Sequence, residues 1–388
     1  MRPDQLPARL AEIEAQGLYR RRRVLEKAGG VEAVLDGRRL VNFCGNDYLG
    51  LADHPGVVAV MRKAAEEYGV GSGASHLVSG HGPSHRALEE ELAEFTGRER
   101  AMLFSTGYMA NQGVIGSLVG RGDWVFADRL NHASLLDGAL LSGARLKRYA
   151  HGRADGLRAC LAECPAEGRL VVTDGVFSMD GDMAPLPALA AAAREAGAWM
   201  MVDDAHGLGV VGPTGRGVAE HFGLGAADIP VLMCTLGKAF GTFGAFVAGG
   251  GDLIEYLVQR ARTYVYTTAL PPAVAEATRA SLRLVREESW RRDKLRGLIG
   301  RFREGAAHLG LHLMDSQTPI QPVLVGGNDE ALHASQRLLD AGFFVAAIRP
   351  PTVPAGSARL RVTLSAIHEE SQVDGLLDAL GKAIPRPS

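Results

Sequence analysis

Cysteine is scarce in this chain. Only four stand among 388 residues, Cys44, Cys160, Cys164 and Cys234, too scattered for a disulfide framework. The stretch "CLAEC" (160–164) has no second Cys or His pair at zinc-finger distance. A reducing, cytoplasmic setting is therefore expected. Excess charge of either sign is missing too, with 42 Lys and Arg against 44 Asp and Glu and a formal net charge of -2. No basic field exists to neutralise phosphates, so nucleic acid is not an expected partner. The one basic run, "YRRRR" (19–23), reads as a solvated face within a helical-looking N-terminal stretch. Long apolar runs are absent as well, and "MRPDQLPARLAEIEAQG" lacks the apolar core of a signal peptide. A soluble protein without a membrane partner is the expectation.

What is present is ordinary globular composition, 46% hydrophobic and 22% charged, in a chain long enough for more than one structural unit. Helix and strand signals alternate, which predicts an α/β fold with a mostly parallel sheet covered by helices. "SHRALEEELAEFTG" (84–97) reads as a helix capped by Ser84, with Leu88, Leu92 and Phe95 on one face and Gly97 at its end. "RLVVTDGVF" (169–177), "AWMMVDDAHG" (198–207) and "IPVLMCTLGK" (229–238) read as buried strands, with a crossover helix over 185–197. Each ends in polar residues, and ligands bind at the carboxyl ends of strands in open parallel sheets. The expected organisation is an N-terminal helical segment (1–45), a large α/β domain (46–280) and a smaller α+β domain (281–388). That last part should open with one long helix over about 280–310, followed by strands in 320–327, 343–354 and 358–366.

Lys238 raises the chemical question. A phosphate loop needs a glycine five residues before Gly237 and Ser or Thr after the lysine, but Leu232 and Ala239 stand there. A lysine ending an apolar strand is poorly placed as a surface charge. Partly desolvated, it has a lowered pKa and can form a Schiff base with an aldehyde. If the aldehyde is pyridoxal phosphate, the cofactor also needs an acid at its pyridine nitrogen, a flat partner on its ring, a donor to its phenolic oxygen and amides for its phosphate. Asp203, ending an apolar strand, would be costly there without a cation; Asp204 points the other way by strand alternation. His206 can reach the phenolic oxygen. Gly107 and Tyr108, at a strand-to-helix turn in "LFSTGYMANQG" (103–113), offer amides at a helix start. His132 can stack on the ring. Taken singly, these histidines and the glycine also read as plain loop residues. "GSGASHLVSGHGPSH" (71–85) offers His76, His81 and His85 as metal ligands, but its glycines and missing carboxylates favour a substrate-facing loop.

As an ordered set, "NDYLGL" (46–51), "STGYMAN", "LNHAS", "DGVFSMDGD" (174–182), "VDDAHGLGVVG" (202–212), "TLGKAFG" and "AIRPPTVPAGSARLRVTLSA" (347–366) resemble the α-oxoamine synthases. These are fold-type I pyridoxal phosphate enzymes, and the resemblance spans nearly the whole chain. It implies a decarboxylative condensation of L-alanine with a pimeloyl thioester, carried by coenzyme A or an acyl carrier protein. It implies that Lys238 holds the cofactor and acts as base. Asp203 would pair with the pyridine nitrogen, His206 and Ser178 would meet the phenolic oxygen side, His132 would stack, and Thr235 would reach the phosphate. Arg349 would grip the amino acid carboxylate, where Pro350 and Pro351 stiffen the loop. Arg20 and Thr352 would meet the acyl substrate. The family is dimeric, so Thr268 would serve the neighbouring subunit's phosphate. A sibling activity on glycine and acetyl-CoA, or a non-catalytic phosphate-binding protein, are the alternatives.

Overall fold

The computed structural model describes residues 2–16, 18–20, 22–27, 30–164 and 167–384. At its centre is a seven-stranded sheet. In spatial order its strands are Arg100–Phe104, Ala245–Gly249, Val231–Thr235, Trp199–Asp203, Arg169–Asp174, Trp124–Asp128 and Arg145–Tyr149. Ala245–Gly249 runs antiparallel to both of its neighbours, Arg100–Phe104 and Val231–Thr235; the remaining strand pairs of this sheet are parallel. Side chains alternate strictly between two apolar clusters. Val171, Met200, Val202 and Leu232 pack on one face, and Leu170, Val172, Met201, Val231 and Met233 on the other. A sheet covered on both faces needs such continuous apolar runs, which is why these strands read as buried. Each fully buried aliphatic side chain there contributes about 1.5–3 kcal/mol.

Several local expectations change. The helix expected over 84–97 spans Pro83–Thr96, and Gly82, not Ser84, is its N-cap. Pro83 takes the first helical position, which suits a residue without an N–H, and so pushes Ser84 inside the helix. The long helix expected over 280–310 is two helices, Pro272–Glu287 and Trp290–His308. Two buried arginines account for the break. Arg292 donates to Val285 O at 2.7 Å, and Arg291 to Leu49 O at 2.9 Å; both bonds need the chain to turn at Glu288.

Among its described residues, the N-terminal segment is helical only over Pro3–Gln5 and Leu6–Ala15. Residues Tyr19, Arg20, Arg22 and Arg23 lie outside any helix, so the basic run is no helix face; Arg21 lies outside the described residues. Strands Leu25–Lys27, Glu32–Leu35 and Arg38–Asn42 follow. Asp36 and Gly37, at φ 51° and 73°, make the two-residue turn between the last two. Arg38–Asn42 then pairs in parallel with Phe343–Phe344, a contact between segments about 300 residues apart in sequence. The strand expected over 343–354 stops at Ile348, because Pro350 and Pro351 supply no N–H. Ala346–Ile348 and Ile320–Gly326 flank Ala358–Thr363 in a three-stranded antiparallel sheet. Among the described residues, no helix is long and apolar enough to cross a membrane.

Candidate active site

The strands ending at Asp174, Asp203 and Thr235 are neighbours in the sheet, so their polar ends converge. Asp174 and Asp203 are register partners, placing two buried carboxylates side by side, 5% and 4% exposed. Burial, then the Asp203 charge, pushes the Asp174 carboxyl well above the usual range. Asp203 Oδ2 accepts from Asn111 Nδ2 at 2.7 Å, and Oδ1 from the Ala205 amide at 3.0 Å. Asn111 lies on the helix Gly107–Leu118 and donates to Ser134 Oγ as well.

Asp204 turns the other way. Its Oδ2 accepts from the Val218 amide at 2.7 Å, and burial lifts its carboxyl to about 8. A Cβ at Gly217, where φ is 94°, would stand 1.9 Å from that oxygen. Asp204 thus fixes the turn behind the site.

Lys238 follows the Val231–Thr235 strand, and its Nζ is 2.7 Å from His206 Nε2. Burial brings its amine down to about 8, against the pull of Asp203 and Asp174 and aided by the Arg361 charge. Burial, then the Lys238 charge, also drives His206 well below the usual imidazole range, so the ring is neutral near pH 7. Its tautomer follows from its partners. Tyr48 Oη donates to Asn46 Oδ1 at 3.1 Å and lies 2.7 Å from His206 Nδ1. The Tyr48 oxygen therefore accepts from Nδ1–H, and Nε2 turns its lone pair to the Lys238 ammonium. Arg361 completes the row, donating to Asn46 Oδ1 at 3.2 Å and to Ser178 O at 2.7 Å.

Other expected residues surround this row. Thr106 caps the helix Gly107–Leu118 by accepting from the Met109 amide at 3.2 Å. The Gly107 and Tyr108 amides, first in that helix, have no intrahelical acceptor. The Tyr108 hydroxyl donates to Asp137, and its ring meets His132 edge-on at 6.4 Å. His132 is exposed, with its amide on Asp174 Oδ2 at 2.7 Å. Thr235 Oγ1 donates to Gly244 O at 3.1 Å.

The donor set fits pyridoxal phosphate. The buried Asp203 carboxylate stands beside Asn111, whose own Oδ1 is buried without a partner; a protonated ring nitrogen suits that pair. A nucleophilic amine stands at Lys238, and helix-start amides suit a phosphate. Asn111, Tyr48, Asn46 and Arg361 join the site without being expected from the sequence, although all lie inside or beside the quoted stretches. Their signal was a buried polar residue in an apolar setting, which only a known neighbour makes readable.

A cleft of about 600 Å³ brings together Arg20, Arg349 and Thr352, with Leu10, Ile13 and Ile348 among its walls. Thr268 is exposed and bridges to Ser75. Of the three histidines in the glycine-rich loop, His81 is exposed. His76 and His85 are buried, His76 stacks on Tyr264 at 4.7 Å, and both His85 nitrogens are engaged, by the Gly82 amide and Leu270 O.

The chain matches the family described as aminotransferase class I and II over residues 38–380. It is 67% identical to the 8-amino-7-oxononanoate synthase of Methylococcus capsulatus, over 97% of each chain. The same-named protein of Thioalkalivibrio sulfidiphilus is 62% identical over 98% of this chain and 97% of that one. Among solved structures, a serine palmitoyltransferase of S. paucimobilis with a bound PLP–myriocin aldimine superposes with a TM-score of 0.92 at 33% identity, covering 98% of this chain and 96% of that one. An 8-amino-7-oxononanoate synthase from Francisella tularensis superposes at 0.77 and 31% identity, covering 88% and 97%.

Proposed function

Because the chain belongs to the class I and II aminotransferase family, we propose that it is a pyridoxal 5′-phosphate-dependent acyltransferase. It condenses L-alanine with a pimeloyl thioester to 8-amino-7-oxononanoate, carbon dioxide and free thiol, a step toward biotin. The observation that carries the reading is Lys238, an amine brought down to about 8, beside a carboxylate pair at neighbouring strand ends. When bound, the cofactor supplies an electron sink for the bonding pair released at the alanine Cα.

The chain's residues do the rest. Lys238 Nζ, neutral for a useful fraction of the time near pH 7.5, is the covalent anchor and then the base that takes the Cα proton. His206 Nε2 faces the same atom and steers its proton. Asp203 holds the positive charge of the ring nitrogen, and Asn111 keeps that carboxylate aimed. Gly107 and Tyr108 amides and the Thr235 hydroxyl hold phosphate; His132 covers the ring face; Ser178 serves its phenolic oxygen side. Arg349 binds the alanine carboxylate, and Arg20 and Thr352 receive the acyl group. The working unit is a homodimer in the cytoplasm, with Thr268 serving the partner's phosphate. Four free thiols fit a reducing compartment.

The shape agreement with serine palmitoyltransferases, at 33–36% identity, makes serine with a palmitoyl thioester a competing pair to test. Alanine, glycine and serine should be assayed against pimeloyl, acetyl and palmitoyl thioesters, with pimeloyl offered on both coenzyme A and acyl carrier protein. Alanine with pimeloyl should exceed every other pair by at least about tenfold in kcat/KM. Preferred turnover of glycine with acetyl-CoA, or serine with palmitoyl-CoA, would reject the assignment.

A further inference from the structure

His151 follows the edge strand Arg145–Tyr149 of the central sheet, and nothing in the proposed reaction uses it. Its imidazole stands between two carboxylates, with Nδ1 3.0 Å from Asp128 Oδ1 and Nε2 3.0 Å from Asp182 Oδ2. A neutral ring donates from one nitrogen only, so both bonds together require the doubly protonated ring. Burial opposes that charge, but the bonds to Asp128 and Asp182 outweigh it and lift the ring to about 10. Phe177 meets the imidazole edge-on at 4.4 Å.

The two carboxylates belong to different walls of the site. Asp128 ends the strand Trp124–Asp128 and is buried; its oxygens also accept from the Leu130 and Gly152 amides at 2.8 Å. His132 follows four residues later. Asp182 closes the loop that contains Ser178, where the Phe177 amide donates to Asp182 O at 3.0 Å and Val176 bridges to Met183. Asp180 in that loop is engaged separately by Arg359.

We propose that His151 is a positioning residue, whose imidazolium ties the His132-bearing loop to the Ser178-bearing loop and so fixes the spacing of the two walls around the cofactor ring. This rests on the functional reading above. A neutral substitute removes the tie that sets the spacing, and it also leaves Asp128 and Asp182 facing one another with no cation between them, a repulsion that costs stability. A divalent metal is the rival occupant, since His151, Asp180 and Asp182 bring donor atoms within 4.8 Å of one another. The geometry disfavours it: both ring nitrogens already hold carboxylates, and Asp180 has its own cation.

The test uses full-length wild type, His151→Gln and the double variant His151→Gln/Asp182→Asn. In wild type, side-chain ¹⁵N shifts of His151 should show both nitrogens protonated at pH 8. In His151→Gln, the Kd for pyridoxal phosphate should rise about tenfold and the visible circular dichroism of bound cofactor should shrink. The double variant removes the facing charge, so it should regain thermal stability while its dichroism stays weak; a purely structural role predicts that both return together. Singly protonated His151 at pH 8, native affinity and dichroism in His151→Gln, or a chelatable ion whose removal reproduces the variant's defect would each overturn the proposal. Failure of wild type to develop any visible band with pyridoxal phosphate would instead reject the functional reading.

Discussion

The Lys238 amine is the most direct quantity to test. With its pKa brought down to about 8, about a quarter of Lys238 is neutral at pH 7.5, against about one in a thousand for an ordinary lysine. It should therefore form imines roughly 200-fold faster than a solvated lysine of similar access. Lys147 is an internal control, since its bond to Glu163 raises its amine above the ordinary value. Apoprotein would be treated with pyridoxal, which has no phosphate to recruit the helix amides, and imines trapped by borohydride between pH 6 and 10. Mass spectrometry then gives labelling rates at Lys238 and Lys147 in one sample. Lys238 labelling should rise through pH 8 and level off, while Lys147 labelling keeps climbing. Asp203→Asn removes a charge that favours the ammonium, so the Lys238 inflection should move down, by on the order of one unit. Arg361→Gln should move it up, because Arg361 disfavours the ammonium. An inflection above pH 10, or both variants shifting the same way, would refute the electrostatic account.

Other consequences are narrower. Asn111→Ala strips one donor from a buried carboxylate, costing about 1–3 kcal/mol; cofactor Kd should rise about tenfold or more by absorbance titration. Arg20→Ala should raise KM for the pimeloyl thioester while leaving KM for alanine within about twofold, a split visible in steady-state kinetics. Gly217→Ala forces a Cβ to 1.9 Å from Asp204 Oδ2 at a φ of 94°, so it should lower Tm by several degrees in calorimetry. Retained Tm in that variant would show that the turn behind the site is less constrained than its geometry implies.

The central sheet is legible because a strand covered on both faces must be apolar along its interior, and 170–172, 199–202 and 231–234 are. Where the sequence misled, a long-range contact decided. Nothing in "SLRLVREESWRRDKLRG" announces a break at Glu288 until Arg291 is seen donating to Leu49 O and Arg292 to Val285 O. The hairpin at Asp36–Gly37 is a different case, since Asp-Gly between the segments ending at Leu35 and starting at Arg38 is a readable turn signal, at odds with a helical segment over 1–45. The site divides the same way. Lys238, Asp203 and His206 are legible because an ionisable group at the end of an apolar strand demands a partner. Asn111, Tyr48 and Arg361 are ordinary polar residues until folding gives them one. What sets the Lys238 amine is therefore not local: beside burial, the charges of Asp174 and Arg361 act on it from positions 64 residues before and 123 after it. Chemistry of that kind is encoded in which strand ends the sheet order makes neighbours, so a substitution that disturbed the order would change the amine without touching Lys238 or the residues beside it in sequence.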